Sequence, residues 1–222
     1  EALEVQAFTP DMDVLYSPCC VPSYDPRAKK VAAATVNVLR TAGVTFGILG
    51  DAESCCGEAI RRVGAEEVFQ QVAGGNASVY TEAGVRTAVC TSPHCLLTFR
   101  REYGEFDAAF KALHQTQLFA QLIASERLKP GKPLGKKVVY HDPCTLGRAS
   151  GVYDEPRAVL AAIPDLELVE IPHYAREYSL CCGGGSGGMW IERAKGERLS
   201  DIRVQQAAAT GADILAVACP YC

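Results

Sequence analysis

Short apolar runs alternate with amphipathic stretches along the whole chain. Residues 13–17 (Asp-Val-Leu-Tyr-Ser) have the length and apolar character of a buried strand, and they end at Pro18, Cys19 and Cys20. From about Pro26, alanine and valine gather on one face through residues 31–39, which predicts a helix stopped by Gly43. Residues 45–49 predict a second strand running into Cys55, Cys56 and Gly57. A helical stretch over 58–83 broken near Gly64 and Gly74, a strand over 86–90 and a helix from Leu96 follow. The order then repeats. Residues 137–141 and 166–171 predict strands, 189–209 one long helix, and 213–218 a strand that delivers Cys219, Pro220, Tyr221 and Cys222. Strands separated by helices imply parallel pairing through right-handed crossovers. Residues 113–135 predict a short helix and then a linker at 129–133, so the expected domains are 1–128 and 129–222.

Composition narrows the class. The 222 residues carry 22 Lys+Arg against 26 Asp+Glu, a net charge of −4, and 48% are hydrophobic. That is the balance of a soluble globular protein, and without a basic surplus it gives no reason to expect nucleic acid. No apolar run reaches the length of a membrane span, and no charged-then-apolar leader is present to suggest secretion. A first residue other than Met and a final cysteine make a fragment of a longer chain the expectation.

The distinctive number is eleven cysteines, which is odd, in a chain far longer than disulfide-stapled scaffolds. A shift of 125 to 127 residues carries Cys19 onto Cys144, Cys55 and Cys56 onto Cys181 and Cys182, and Cys95 onto Cys222. Two halves are therefore an internal duplication. The cysteines follow the C-terminal ends of apolar strands, where open parallel sheets bind their ligands, so those of one half can converge on one crevice. The expected fold class is α/β, with two tandem duplicated Rossmann-like domains, parallel sheets flanked by helices, and sites at the strand C-terminal ends.

In the second half Cys144 is followed by thirty-six residues, then Cys181 and Cys182, thirty-six more, and Cys219-x-x-Cys222. Five thiols exceed the four that tetrahedral zinc uses. Adjacent cysteines suit a cluster, in which neighbouring thiolates can reach different irons. The glycines from Gly183 through Gly185, and Gly187 with Gly188, fit this reading, because they allow close backbone approach and their N–H groups can donate to sulfur. The competing readings are a structural zinc site, buried free thiols, a thioredoxin-like dithiol at Cys219 and Cys222, and a phosphate loop at the glycines. Three more cysteines in register tell against the dithiol, and a missing Lys-Ser/Thr against the phosphate loop.

The spacing C-x36-CC-x36-C-x-x-C, with glycine after the pair, resembles the CCG domain of heterodisulfide reductase catalytic subunits and related iron–sulfur oxidoreductases, over nearly the whole chain. Local strings add to the likeness: Ser23-Tyr24-Asp25-Pro26-Arg27, Phe46-Gly47-Ile48-Leu49-Gly50, Ser92-Pro93-His94-Cys95, His114-Gln115-Thr116-Gln117, His141-Asp142-Pro143-Cys144 and Cys219-Pro220-Tyr221-Cys222. They look most like the membrane-complex-associated branch, in which the double domain follows a ferredoxin-like domain. The resemblance implies a noncubane [4Fe-4S] cluster on Cys144, Cys181, Cys182, Cys219 and Cys222, with Cys181 and Cys182 at the chemistry and Gly183, Gly184 and Gly185 around the cofactor. In the first half, aligning the Ser-Tyr-Asp-Pro-Arg string makes Cys20 the first ligand, while Ser92 stands where the full motif has cysteine. Cys20, Cys55, Cys56 and Cys95 remain, four thiolates that suit an ordinary [4Fe-4S] cubane. Cys19 or Cys90 could restore a fifth ligand, and an empty site is also compatible.

His94 and His141 lie within three residues of these cysteines and are candidates to protonate a departing thiolate or to tune a cluster. The ordinary alternative is a strand-end histidine bonded to backbone. His114 could line the pocket or serve a helix N-terminus, His173 belongs on a surface loop, and Arg148 and Arg176 could meet an anionic substrate. The resemblance implies the catalytic core of a heterodisulfide-reductase-like complex, reducing or forming a disulfide of a small or protein-borne thiol in one-electron steps. An electron-transfer subunit of a respiratory or organic-acid dehydrogenase complex and a structural zinc module are the alternatives. The implied partners are an iron–sulfur or ferredoxin-like electron donor and a membrane-anchored subunit. That places the chain in the cytoplasm, held to the inner face of the membrane through its partner.

Overall fold

The structure is a computed structural model and describes residues 4–194 and 196–222. Two compact units divide the chain, Glu1–Leu118 and Phe119–Cys222. Each is a wholly parallel sheet with helices in its crossovers, the α/β Rossmann-like pattern that the sequence implies.

The first unit contains β1 (Val14–Ser17), α1 (Cys20–Tyr24), α2 (Lys29–Thr41), β2 (Phe46–Gly47), α3 (Glu58–Arg62), α4 (Glu66–Glu82), β3 (Thr87–Cys90), α5 (Pro93–Arg101) and β4 (Lys111–His114), after which α6 (Gln115–Ala124) begins. The strand order is β2-β1-β3-β4. Leu15, Leu39, Phe69, Tyr80, Leu96 and Tyr103 are fully buried around it. Tyr80, Phe99, Tyr103 and Phe110 pack with ring centroids 4.8 to 6.4 Å apart.

Three details differ from the sequence expectation. Helix α4 runs through Gly74 instead of breaking there, because that glycine serves close approach: a Cβ on it would sit 3.3 Å from the Phe106 ring. Helix α5 begins at Pro93, three residues early, because the Ser92 hydroxyl accepts the His94 N–H as an N-cap and proline suits the first helical position. Strand β4 offers only Ala112 and Leu113 as an apolar run, between Lys111 and His114, and it pairs with β3 in register from Thr87–Lys111 to Cys90–His114.

The second unit contains β5 (Lys136–His141), α7 (Asp154–Ala161), β6 (Leu166–Val169), α8 (Leu199–Ala208) and β7 (Ile214–Val217), with strand order β6-β5-β7. Only the central strand is deeply buried, at Val138, Val139, Tyr140 and His141; its apolar flanks are sheet edges and stay partly exposed. Val139, Ile171 and Ala207 form the core against α8. That helix is half the expected length. Gly196, inside the expected span, holds φ +88°, which a right-handed helix cannot pass through. Among the described residues no helix is long and apolar enough to cross a membrane.

A buried charge network closes the C-terminal edge of this sheet. Arg157 of α7 grips Asp142 with two bonds of 2.7 and 2.8 Å, and Glu170 with two of 2.6 and 2.8 Å. Asp142 is 2% exposed and also accepts the Arg176 N–H at 2.7 Å. The segments after β5 and β6 are thereby tied to α7. Arg157→Ala should strand a buried carboxylate and destabilise the fold by about 3–5 kcal/mol. Arg157→Lys should recover only part of this, since one ammonium cannot fork to two carboxylates. Urea unfolding of the full chain is the check, and an unchanged midpoint for Arg157→Ala would refute it.

Candidate metal centres

In the second half the thiols arrive from three stretches of chain. Cys144 follows β5, Cys181 and Cys182 lie beyond β6, and Cys219 and Cys222 follow β7. The Sγ atoms of Cys144 and Cys181 are 3.7 Å apart, those of Cys182 and Cys222 are 3.2 Å apart, and Cys219 lies against Cys222. All eleven cysteines are free of disulfides. The backbone turns toward the sulfurs as well. Gly183 N–H donates to Cys181 Sγ at 3.3 Å and Gly184 N–H to Cys182 Sγ at 3.4 Å. A Cβ on Gly184 would fall 2.1 Å from the Tyr221 carbonyl oxygen, so only glycine lets this loop lie against the 219–222 turn. Thiols without disulfides, ringed by backbone N–H donors, fit an iron–sulfur group, which Cys144, Cys181, Cys182, Cys219 and Cys222 would hold. The contact with Cys222, helped by His141 and the Gly184 N–H, holds Cys182 down at about 4 against the effect of burial. Cys182 and Cys222 stand in the wall of an opening of about 580 Å³, beside Gly184, Met189, Trp190 and Tyr221.

The first half repeats the turn. Gly57 has φ +88°, and its N–H donates to Cys55 Sγ at 3.4 Å, as Gly183 does to Cys181. The thiols form a chain of contacts from Cys20 to Cys55, Cys56, Cys95 and Cys19. Those five residues line one opening of about 420 Å³. Contact with the Cys55 and Cys95 thiols draws Cys56 down to about 6 in spite of burial. Beside them, burial lifts the Glu53 carboxyl to about 7, although Ser17 and Tyr80 hydroxyls donate to it. Cys19 has φ +71° and ψ 163°, a conformation essentially reserved for glycine that costs another residue about 1–3 kcal/mol.

The histidines have distinct surroundings. His141 is 1% exposed, and its Nδ1 accepts from Arg203 Nε at 2.8 Å. Arginine can only donate, so the ring N–H sits on Nε2. Nε2 makes no hydrogen bond of ordinary geometry, and the ring lies within 4.8 Å of the Cys182 and Cys222 sulfurs. His94 Nδ1 is 3.0 Å from Glu58 Oε1, and both residues are buried. His114 is fully buried and bonded to Thr116 and to the Thr91 carbonyl, so it braces β4 instead of lining an opening. His173 is exposed. Arg148 and Arg176 are occupied with the 176–179 segment and Asp154. Sequence reasoning missed Arg203. It is 2% exposed and shares the buried face of α8 with Ala207, one turn on, and a cation on that apolar face was the available signal.

Comparison with known proteins accounts for the repeat. The cysteine-rich CCG domain pattern matches residues 14–100 and again 138–222. The chain is 38% identical over 216 residues (94% of its length) to an EtfAB:quinone oxidoreductase of Syntrophomonas wolfei, of which it covers 30%. It is 40% identical over 200 residues (90%) to the "Probable iron-sulfur-binding oxidoreductase FadF" of Bacillus subtilis, covering 28% of it. Identity is 34% over 216 residues (95%) to a subunit of the dihydromethanophenazine:CoB–CoM heterodisulfide reductase of Methanosarcina barkeri, covering 52% of that subunit. The chain thus spans about half or less of the length of these relatives. Two matched repeats, with the glycine turn after each cysteine pair, make this chain a member of the cysteine-rich CCG domain family of iron–sulfur oxidoreductases.

Proposed function

We propose that the second-half site carries a noncubane [4Fe-4S] cluster at which a thiol substrate's disulfide is reduced or formed, and that a [4Fe-4S] cluster in the first half relays electrons to it. The observation that carries this reading is the complete five-thiol set of the second half, in which Cys182 and Cys222, 3.2 Å apart, stand in the wall of an opening of about 580 Å³. Cleaving a disulfide takes two electrons and two protons and releases two thiols, and an iron–sulfur cluster supplies electrons singly. The chain's own part is to hold and bias the sulfurs. Gly183 and Gly184 N–H groups and the His141 Nε2–H are donors that stabilise added negative charge on thiolates. Arg203 positions His141 by occupying its other nitrogen. Arg193, Arg198, Glu192 and Glu197 share the rim, so charge alone does not select the substrate.

The reading extends to partners. A ferredoxin-like domain or subunit would deliver the electrons, and a membrane-anchored subunit would hold the assembly at the inner face of the membrane. The relative named as a heterodisulfide reductase subunit supports disulfide chemistry. The one named for quinone oxidoreduction supports electron transfer without it.

Anaerobically prepared chain should contain iron and acid-labile sulfide, with an EPR signal from the second site after oxidation in the presence of thiol. A colourless zinc protein would sink the reading. Cys182→Ser should abolish that signal and the reduction of a mixed disulfide by reduced viologen. Clusters that cycle in the wild type without any disulfide turnover would establish the electron-transfer reading instead. Arg203→Met should lower the reduction potential of the second site and cut turnover by about 10- to 100-fold, as loss of an outer hydrogen bond does. Potentiometric EPR titration tests this, and an unmoved second-site potential would count against Arg203.

A further inference from the structure

We propose that Cys19 takes the ligand place that Ser92 leaves vacant, so that the first-half site presents five thiolates: Cys19, Cys20, Cys55, Cys56 and Cys95. The inference rests on reading that site as an iron–sulfur centre, and it concerns which residues complete it. Ser92 itself is committed elsewhere. It is 1% exposed, and its hydroxyl caps α5 by accepting the His94 N–H at 3.2 Å. The thiol of Cys19 stands next to it, accepting the Ser92 N–H at 3.4 Å and touching Cys95, the partner that the missing cysteine would have had in a C-x-x-C turn. Cys19 also lines the same opening as the other four thiols.

Two further observations separate Cys19 from Cys90, the other thiol that could serve. Cys90 is fully buried as the last residue of β3, bonds to the Leu113 carbonyl at 3.4 Å, and is not among the residues lining the opening. Cys19, by contrast, occupies a backbone conformation suited to glycine, with φ +71°. Its sulfur donates to the Ser17 carbonyl at 3.5 Å, accepts the Ser92 N–H and touches both Cys90 and Cys95, and ligation would give this strained placement a use. The first half would then have moved its fifth ligand from the start of α5 to the end of β1, placing the pairs Cys19–Cys20 and Cys55–Cys56 around one opening.

The test uses the full chain, loaded anaerobically with isotopically enriched iron and read by Mössbauer spectroscopy together with iron and sulfide content. Cys19→Gly suits the local backbone, so a folding defect is not expected, and circular dichroism verifies this. The expected result is loss or altered Mössbauer parameters of the first-site share of the iron in Cys19→Gly. The wild-type pattern should return when Ser92→Cys is added, and Cys90→Ser should match wild type. A Cys19→Gly spectrum and iron content identical to wild type, or a change produced by Cys90→Ser instead, would overturn the proposal. Wild-type chain that binds no iron at all would overturn the iron–sulfur reading itself, a different and recognisable failure.

Discussion

A parallel sheet ends every strand on the same side, and the chemistry of this chain depends on that constraint. Residues thirty-seven positions apart in sequence, such as Cys182 and Cys219, reach one edge because β5, β6 and β7 all run toward it. The same geometry leaves loop backbone at that edge with no strand to bond to. Buried side chains bond to it in place of a strand. Asp142 receives the Arg176 N–H, Ser179 Oγ donates to the Asp142 carbonyl at 2.9 Å, and Arg203 joins Ser179 to His141. The loops that present thiols are thus held by charge-assisted bonds where regular hydrogen-bond ladders stop.

The two halves share a turn and differ in what surrounds it. Gly57 and Gly183 have nearly the same φ, +88° and +81°, and each donates to the first sulfur of its cysteine pair. Beyond that the first half is more deeply packed, with Cys19, Cys56 and Cys95 buried beside an aromatic core. Each half leaves one of its thiols exposed, Cys55 in the first and Cys222 in the second, where Trp190 lies edge-on to Tyr221 at 6.0 Å. A duplicated scaffold has kept its local turn and changed the packing behind it.

Much of this was legible in the residues. Apolar runs placed six of the seven strands, because a buried parallel strand needs a continuous apolar stretch, and cysteine spacing gave the register of the repeat. What stayed hidden depends on contacts between distant residues. Gly74 reads as a helix breaker until Phe106 is seen against it, and the short α7 was not anticipated at all. Arg157, Arg203 and Glu53 look like ordinary surface charges in a sequence, and their partners lie 13 to 62 residues away or across the fold. Cys19 and Cys90 could not be separated by spacing. Their surroundings distinguish them.

The loop after Cys182 has an end that tolerates nothing and an end that tolerates much. Gly184 and Gly188 sit so close to the carbonyls of Tyr221 and Gly183 that any side chain would displace the backbone. A few residues on, Met189, Trp190 and Ile191 are exposed on the rim with no such restriction. Mutation can therefore rewrite what the opening admits while the sulfur-holding turn passes unchanged to each descendant. A scaffold divided in this way can vary the rim of its opening while its thiols stay where they are.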